Sequence, residues 1–227
     1  MGSIFSDRIS DVPRSFIREI LKVAVDKSLI SFAGGLPNRD LFPVEEIKQA
    51  AYQVLDESGK DVLQYSTSEG FAPLRKWISD RYLSAKGLAV DPNEILILSG
   101  SQQGLDLMGK ILLNEGDNVA IEKPGYLGAI QAFSLYRSRF HQIPLSEEGP
   151  DIGELSRVIH KHQVKLLYTV PNFQNPSGAT YSQKAREQVT AVLSDTDTIL
   201  IEDDPYGELR FRGTPNDSFR KLMPENT

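Results

Sequence analysis

The sequence predicts an α/β fold: an open, mainly parallel sheet with helices on both faces, preceded by an N-terminal helical arm. Three observations lead there. Short apolar runs, "EILILSG", "NVAIEK", "VKLLYTVP" and "TILIE", alternate along the chain with segments of helical period. The runs are nearly continuous rather than alternating, as expected of strands covered on both faces. Several end in Gly-, Pro- or Asn-bearing corners such as "SGSQQG", "EKPGY" and "PNFQNPSG". Right-handed crossovers are the default for such a sheet, and ligands collect beyond the carboxyl ends of its strands.

The elements follow in order. In "SFIREILKVAVDKS" (Ser15 to Ser28) the positions Phe16, Ile20, Val23 and Ala24 recur at helical spacing and form the arm. "SFAGGLPNRDLFP" holds two glycines, two prolines and no period, and reads as an irregular connection. A helix starts at Val44 with Ile47, Ala51, Val54 and Leu55 on one face, and another carries Leu74, Trp77, Ile78 and Tyr82. After Asp91-Pro92 the texture changes to strand and helix in turn. "EILILSG" is a strand and "SQQGLDLMGKILLNEGD" a helix closed at Asn114-Glu115-Gly116. "NVAIEKPGY" is strand then turn, "LGAIQAFSLY" a helix, and "RFHQIPL" a strand. "DIGELSRVIHKHQ" and "SQKAREQVTAVLSD" are helices that flank the strand "VKLLYTVP", and "TILIEDDPY" closes the series with a strand.

Composition narrows the function classes. Hydrophobic residues at 40% and charged residues at 25% are ordinary for a globular chain of 227 residues. A net charge of −6 argues against a nucleic-acid partner, which needs a basic face. With no cysteine, disulfides and thiolate metal sites are excluded. No apolar run approaches the roughly 20 residues of a membrane span, and the N-terminus lacks an apolar signal core. A cytoplasmic protein without a membrane partner is expected. The Met-Gly-x-x-x-Ser start is too short a pattern to assign lipidation.

The chemistry lies at four strand ends. Gly100, Ser101 and Gln102 open a helix, where unpaired N–H groups and the Ser hydroxyl suit a phosphate; a plain Ser N-cap is the alternative. Tyr126 at the end of "EKPGY" can lay its ring on a flat heteroaromatic ligand or pack on a neighbouring loop. In "PNFQNPSG", Pro176 biases Asn175 away from the helical region, and a single turn would not need both Asn172 and Asn175. In "IEDDPYGELRF", Glu202, Asp203 and Asp204 follow one another, an arrangement that needs a cation or a proton nearby. Asp203 and Tyr206 can turn into one pocket. A solvated acidic turn or a Mg²⁺ site is the alternative, although nothing else resembles a metal site. His141, His160 and His162 read as surface or strand-end residues. No nucleotide-binding glycine fingerprint is present.

A ligand that satisfies all four ends must carry a phosphate, a flat ring, a cationic ring nitrogen and an oxygen acceptor, and pyridoxal 5′-phosphate has those parts. Taken in order, "FAGGLP", "LQYSTSEGFAPLR", "LSGSQQGLDL", "EKPGY", "PNFQNPSG" and "IEDDPYGELRF" resemble the fold-type I, class I/II pyridoxal-phosphate aminotransferases, in the branch of aminoadipate, kynurenine and aromatic aminotransferases. The resemblance covers nearly the whole chain. It implies that Gly100, Ser101 and Gln102 hold the cofactor phosphate and that Tyr126 stacks on the pyridine ring. Asn175 and Tyr206 then bond the ring oxygen, and Asp203 pairs with the protonated ring nitrogen. It also implies that Tyr65 reaches the phosphate across a homodimer interface and that Gly34 and Gly35 line the substrate carboxylate. Asn172 is left to brace its loop. Residues 1–45 become an N-terminal arm with part of a small domain, and residues 46–227 a cofactor-binding large domain.

The pattern also departs from the family. The lysine that forms the internal Schiff base, set in Ser-x-Ser-Lys after the Asp-x-x-Tyr element, has no counterpart; Lys221 in "SFRKLMPENT" lacks that setting. The expectation is therefore an incomplete large domain with no catalytic residue of its own, inactive alone, from a longer enzyme that exchanges amino groups between amino acids and 2-oxo acids. A ligand-sensing regulatory module, or a lyase or decarboxylase on the same fold, is the alternative.

Overall fold

In the computed structural model the described residues are 4–10, 35, 37–225 and 227. The arm helix expected at Ser15 to Ser28 and the expected site residue Gly34 lie outside them. Internal contacts divide the chain into two units, one of Met1–Val12, Ser79–Val90 and Leu98–Thr227, the other of Pro13–Ile78 and Asp91–Ile97.

The first unit contains the sheet. Strands β1 (Asn118–Lys123), β2 (Arg139–Ser146), β3 (Gly149–Pro150), β4 (Leu166–Thr169) and β5 (Ile199–Glu202) lie in the spatial order β3-β2-β1-β4-β5. β1 is parallel to β2 and β4, β4 is parallel to β5, and only the short β3 runs antiparallel. Every parallel step is made by a helical crossover, as two-residue turns cannot join parallel strands. Among the described residues of the two units the α-helices are α1 (Asp7–Ser10), α2 (Val44–Val62), α3 (Ala72–Lys86), α4 (Ser101–Leu112), α5 (Leu127–Ser134), α6 (Ile152–His162), α7 (Gln183–Leu193) and α8 (Phe219–Leu222).

The two-residue period of the strands divides their side chains between two cores. Val119, Ile121, Leu166 and Tyr168 pack with Leu105 of α4 and Ala129, Ala132 and Phe133 of α5. Ala120, Leu167 and Leu200 face the other way, onto Leu155, Val158 and Ile159 of α6, Val189 and Leu193 of α7 and Phe219 of α8. Helices therefore cover both faces. α6 shows why its boundaries fall where they do. Asp151 caps its start by accepting from Glu154 N–H at 2.9 Å, and Gln163 in the left-handed region ends it.

One expected strand does not form. Residues 95–98 of "EILILSG" belong to no sheet, although Ile95 is extended (φ −102°, ψ 124°). A strand exists only by pairing, and no strand among the described residues pairs with this segment; Ile97 N–H donates instead to Glu69 O in a loop contact of 3.0 Å. In the second unit α2 presents its apolar face, Ile47, Val54 and Leu55, to solvent and has no buried residue.

Asp117 anchors the entry to β1. Its Oδ2 accepts from Asn114 N–H at 2.8 Å and from Lys165 Nζ at 2.9 Å. These two donors, the Asn114 amide foremost, hold its carboxyl below the usual range. A depressed folded pKa gives stability that is complete above the unfolded value and lost as pH falls through the folded one. Asp117→Asn is expected to lower stability at neutral pH by about 1 kcal/mol. Urea unfolding at a series of pH values should also show a shallower loss of stability below about pH 4 in the variant.

Candidate functional site

The parallel register brings the carboxyl ends of β1, β4 and β5 side by side, with Thr169 opposite Glu202. Four segments of the first unit supply the predicted residues. At the start of α4, Gly100 has φ 95° and ψ 160°, a conformation that side chains rarely adopt, and nothing lies within 4 Å of where its Cβ would stand. Gly100, not Ser101, is the N-cap, and no side chain caps the helix. The plain Ser N-cap is thereby corrected: Ser101 is the first helical residue and is exposed. Gln103 folds back to accept from Ser99 N–H at 2.7 Å, and Gln102 Nε2 donates to Gly128 O at 3.2 Å, tying α4 to α5.

After β1 the chain turns through a cis Lys123-Pro124 bond to Tyr126, the half-buried N-cap of α5. The Tyr126 ring lies over Gly128, where a Cβ would come within 2.6 Å of it. Only glycine leaves that seat open. Burial raises the Tyr126 phenol pKa, and the charge of Asp203 and the Tyr206 phenol raise it further, so the three groups share one region.

After β4, Phe173 adopts a left-handed φ of 50° and Asn175-Pro176 is cis. Asn175 Nδ2 faces the Tyr206 hydroxyl at 3.5 Å, a long contact. Asn172 braces this loop: it donates to Asp204 Oδ1 at 2.8 Å and accepts from Arg186 Nη2 at 2.8 Å.

The three consecutive acids resolve in three different ways. Glu202 pairs with Arg186 at 3.3 Å and Asp204 with Lys86 at 3.2 Å. Asp203 makes no ion pair among the described residues and instead accepts from the Tyr168 hydroxyl through Oδ2 at 2.6 Å. Burial foremost, then that bond, raises the Tyr168 phenol pKa steeply, so Tyr168 is a donor. Asp203 is thus a hydrogen-bond acceptor at a strand tip, in the region of Tyr126 and Tyr206.

The remaining predicted residues stand elsewhere. Tyr65 and Gly35 belong to the second unit; Tyr65 is wholly exposed, and nothing lies within 4 Å of a Cβ built on Gly35. His141 and His162 stack at 4.0 Å, where Asn118 Oδ1 accepts from His141 Nε2 at 2.9 Å and Asn118 Nδ2 donates to the His162 carbonyl at 2.7 Å. Among the described residues no three His, Cys, Asp or Glu form a metal-holding group, and no helix is long and apolar enough to cross a membrane.

Four residues that brace these strand ends carry no motif of their own: Tyr168, Glu122, Gln174 and Arg186. Tyr168 and Glu122 are polar groups inside apolar runs, a signal that each needs a buried partner. Arg186 gives no such signal in "SQKAREQ".

The chain as a whole matches a known family. The profile of "Aminotransferase class I and II" matches residues 27–223, and the chain belongs to that family. A 2-aminoadipate transaminase of Thermus thermophilus is 44% identical over 88% of this chain and 49% of its own. A crystal structure of a Pyrococcus horikoshii kynurenine aminotransferase, in complex with PMP, KYN as substrates and KYA as products, superposes with a TM-score of 0.89 at 39% identity. That match covers 96% of this chain and 55% of the other. An uncharacterized HTH-type transcriptional regulator of Escherichia coli is 31% identical over 87% of this chain and 42% of its own. The chain spans about half the length of the curated relatives it matches.

Proposed function

We propose that this chain supplies the cofactor-binding part of a pyridoxal 5′-phosphate-dependent aminotransferase that moves an amino group between an amino acid and a 2-oxo acid. The observation that carries the reading is Asp203, a strand-tip carboxylate without a cation among the described residues, between two neighbours that each have one. A protonated pyridine nitrogen is the partner such a group lacks.

The donor set fits the cofactor. The uncapped first turn of α4, at Gly100, Ser101 and Gln102, offers N–H groups and a hydroxyl to a phosphate, in open space that a side chain at position 100 would fill. Tyr126 offers a ring face, and Asn175 with Tyr206 offers an amide and a phenol to one ring oxygen. When bound, the cofactor supplies the electron sink for loss of the substrate α-proton. Asp203 holds the ring-nitrogen proton in place, and Tyr168 fixes the carboxylate by occupying Oδ2. The exposed Tyr65 is available to a second copy, in keeping with a homodimer, and Gly35 with Gly34 is assigned to the substrate carboxylate.

Equilibrium dialysis of the chain against pyridoxal 5′-phosphate tests the reading. One equivalent per chain, displaced by pyridoxine 5′-phosphate, is expected; no saturable binding would refute it. The likeness to a transcriptional regulator favours a ligand-sensing module as the second reading. Release of a 2-oxo acid from 2-aminoadipate or an aromatic amino acid by the full-length protein separates the two.

A further inference from the structure

We infer that Glu122 and Gln174 form a buried clamp that positions Tyr126 and Asn175 relative to each other; its bearing on catalysis rests on the reading above. Glu122, near the end of β1, is 2% exposed and Gln174, in the loop after β4, is 1% exposed. Glu122 Oε1 accepts from Val170 N–H at 2.9 Å and from the Tyr181 hydroxyl at 2.8 Å. Its Oε2 accepts from Gln174 Nε2 at 2.9 Å. Gln174 Nε2 also donates to Pro124 O at 2.8 Å, while Gln174 Oε1 accepts from Ser177 N–H at 2.8 Å and Ser177 Oγ at 2.6 Å.

Every donor and acceptor of the Gln174 amide is thus engaged. Pro124 lies two residues before Tyr126 and Gln174 one before Asn175, so this amide is the tie between the two strand-end loops. The choice of a carboxylate at position 122 follows from the count of donors. Three groups point hydrogens at it, and an ionised carboxylate is acceptor-only. Glutamine would keep Oε1 for Val170 and Tyr181 but would oppose its own amide to that of Gln174. The cost of burying a charge that has no ion pair among the described residues is offset by those three hydrogen bonds.

The experiment compares Glu122→Gln with the exchanged pair Glu122→Gln/Gln174→Glu in the full chain, by hydrogen–deuterium exchange. In Glu122→Gln, segments 123–128 and 171–180 should exchange about tenfold faster, while β2 and α7 keep wild-type protection. The exchanged pair restores a donor opposite an acceptor, so segment 171–180 should return to within about threefold of wild type. Segment 123–128, where a carboxylate oxygen at position 174 would stand against Pro124 O, acceptor against acceptor, should stay loosened. Unchanged loops in the single variant, loosening of the whole sheet alike, or no recovery in the exchanged pair would overturn the clamp. Should Glu122→Gln fail to fold, the exchanged pair must fold for the inference to stand. A pyridoxal 5′-phosphate titration runs beside it, with affinity expected to fall about tenfold and then recover. A wild-type chain that binds no cofactor would refute the proposed function and leave the exchange data to decide the clamp.

Discussion

If the proposed function holds, replacing Asp203 by Asn should slow amino-group transfer by about a thousandfold while leaving the fold intact. The size follows from one ion pair. At an effective dielectric of about 20, opposite charges about 4 Å apart interact by roughly 4 kcal/mol, which is about three decades in a protonation equilibrium. Asn matches Asp in shape and can still accept from Tyr168, but it offers a ring nitrogen no charge. Two checks go together: single-turnover release of the 2-oxo acid in the full-length protein, and the melting temperature. A rate within about threefold of wild type would remove Asp203 from the role.

The second large effect concerns stability. Arg186 is wholly buried on α7, and its guanidinium joins five groups. Nη1 donates to Glu202 Oε1 at 3.3 Å and Asp217 O at 3.1 Å, and Nη2 to Pro171 O at 3.0 Å and Asn172 Oδ1 at 2.8 Å. Nε donates to Tyr181 O at 3.3 Å. Burial raises the Glu202 pKa and lowers that of Arg186, and each charge offsets the other's cost. Arg186→Met leaves Glu202 buried without its cation and frees the ends of β4 and β5. A loss of about 3–5 kcal/mol is expected by urea unfolding, a large share of a typical domain's stability. Adding Glu202→Gln removes the stranded charge and should recover about 1–2 kcal/mol. A loss below about 1 kcal/mol in the single variant would show that the network does not hold the strand ends.

The parts of this protein that could be read from its sequence are those set by local pattern. Continuous apolar runs marked β1, β4 and β5, because strands covered on both faces have no polar side to show. Turn residues marked the loops that carry Tyr126, Asn175 and Asp203, because Pro and Gly restrict or free the backbone locally. What required partners distant in sequence was hidden. Residues 95–98 have a strand's composition but no neighbour to pair with among the described residues, so composition alone overstates them. Arg186 has a helical setting that suits a solvated side chain, and only the arrival of Pro171, Asn172 and Glu202 around it makes it interior. The crowding of three acids was visible, but its resolution through Arg186, Lys86 and Tyr168 was not, since those partners lie 16, 118 and 35 residues away along the chain, respectively.

The most direct measurement is a crystal structure of the chain soaked with pyridoxal 5′-phosphate. The phosphate should sit at the first turn of α4, beside Gly100, Ser101 and Gln102. The ring should lie against Tyr126, its nitrogen facing Asp203 and its oxygen facing Asn175 and Tyr206. A phosphate seated elsewhere, or a ring whose nitrogen points away from Asp203, would contradict the proposed function.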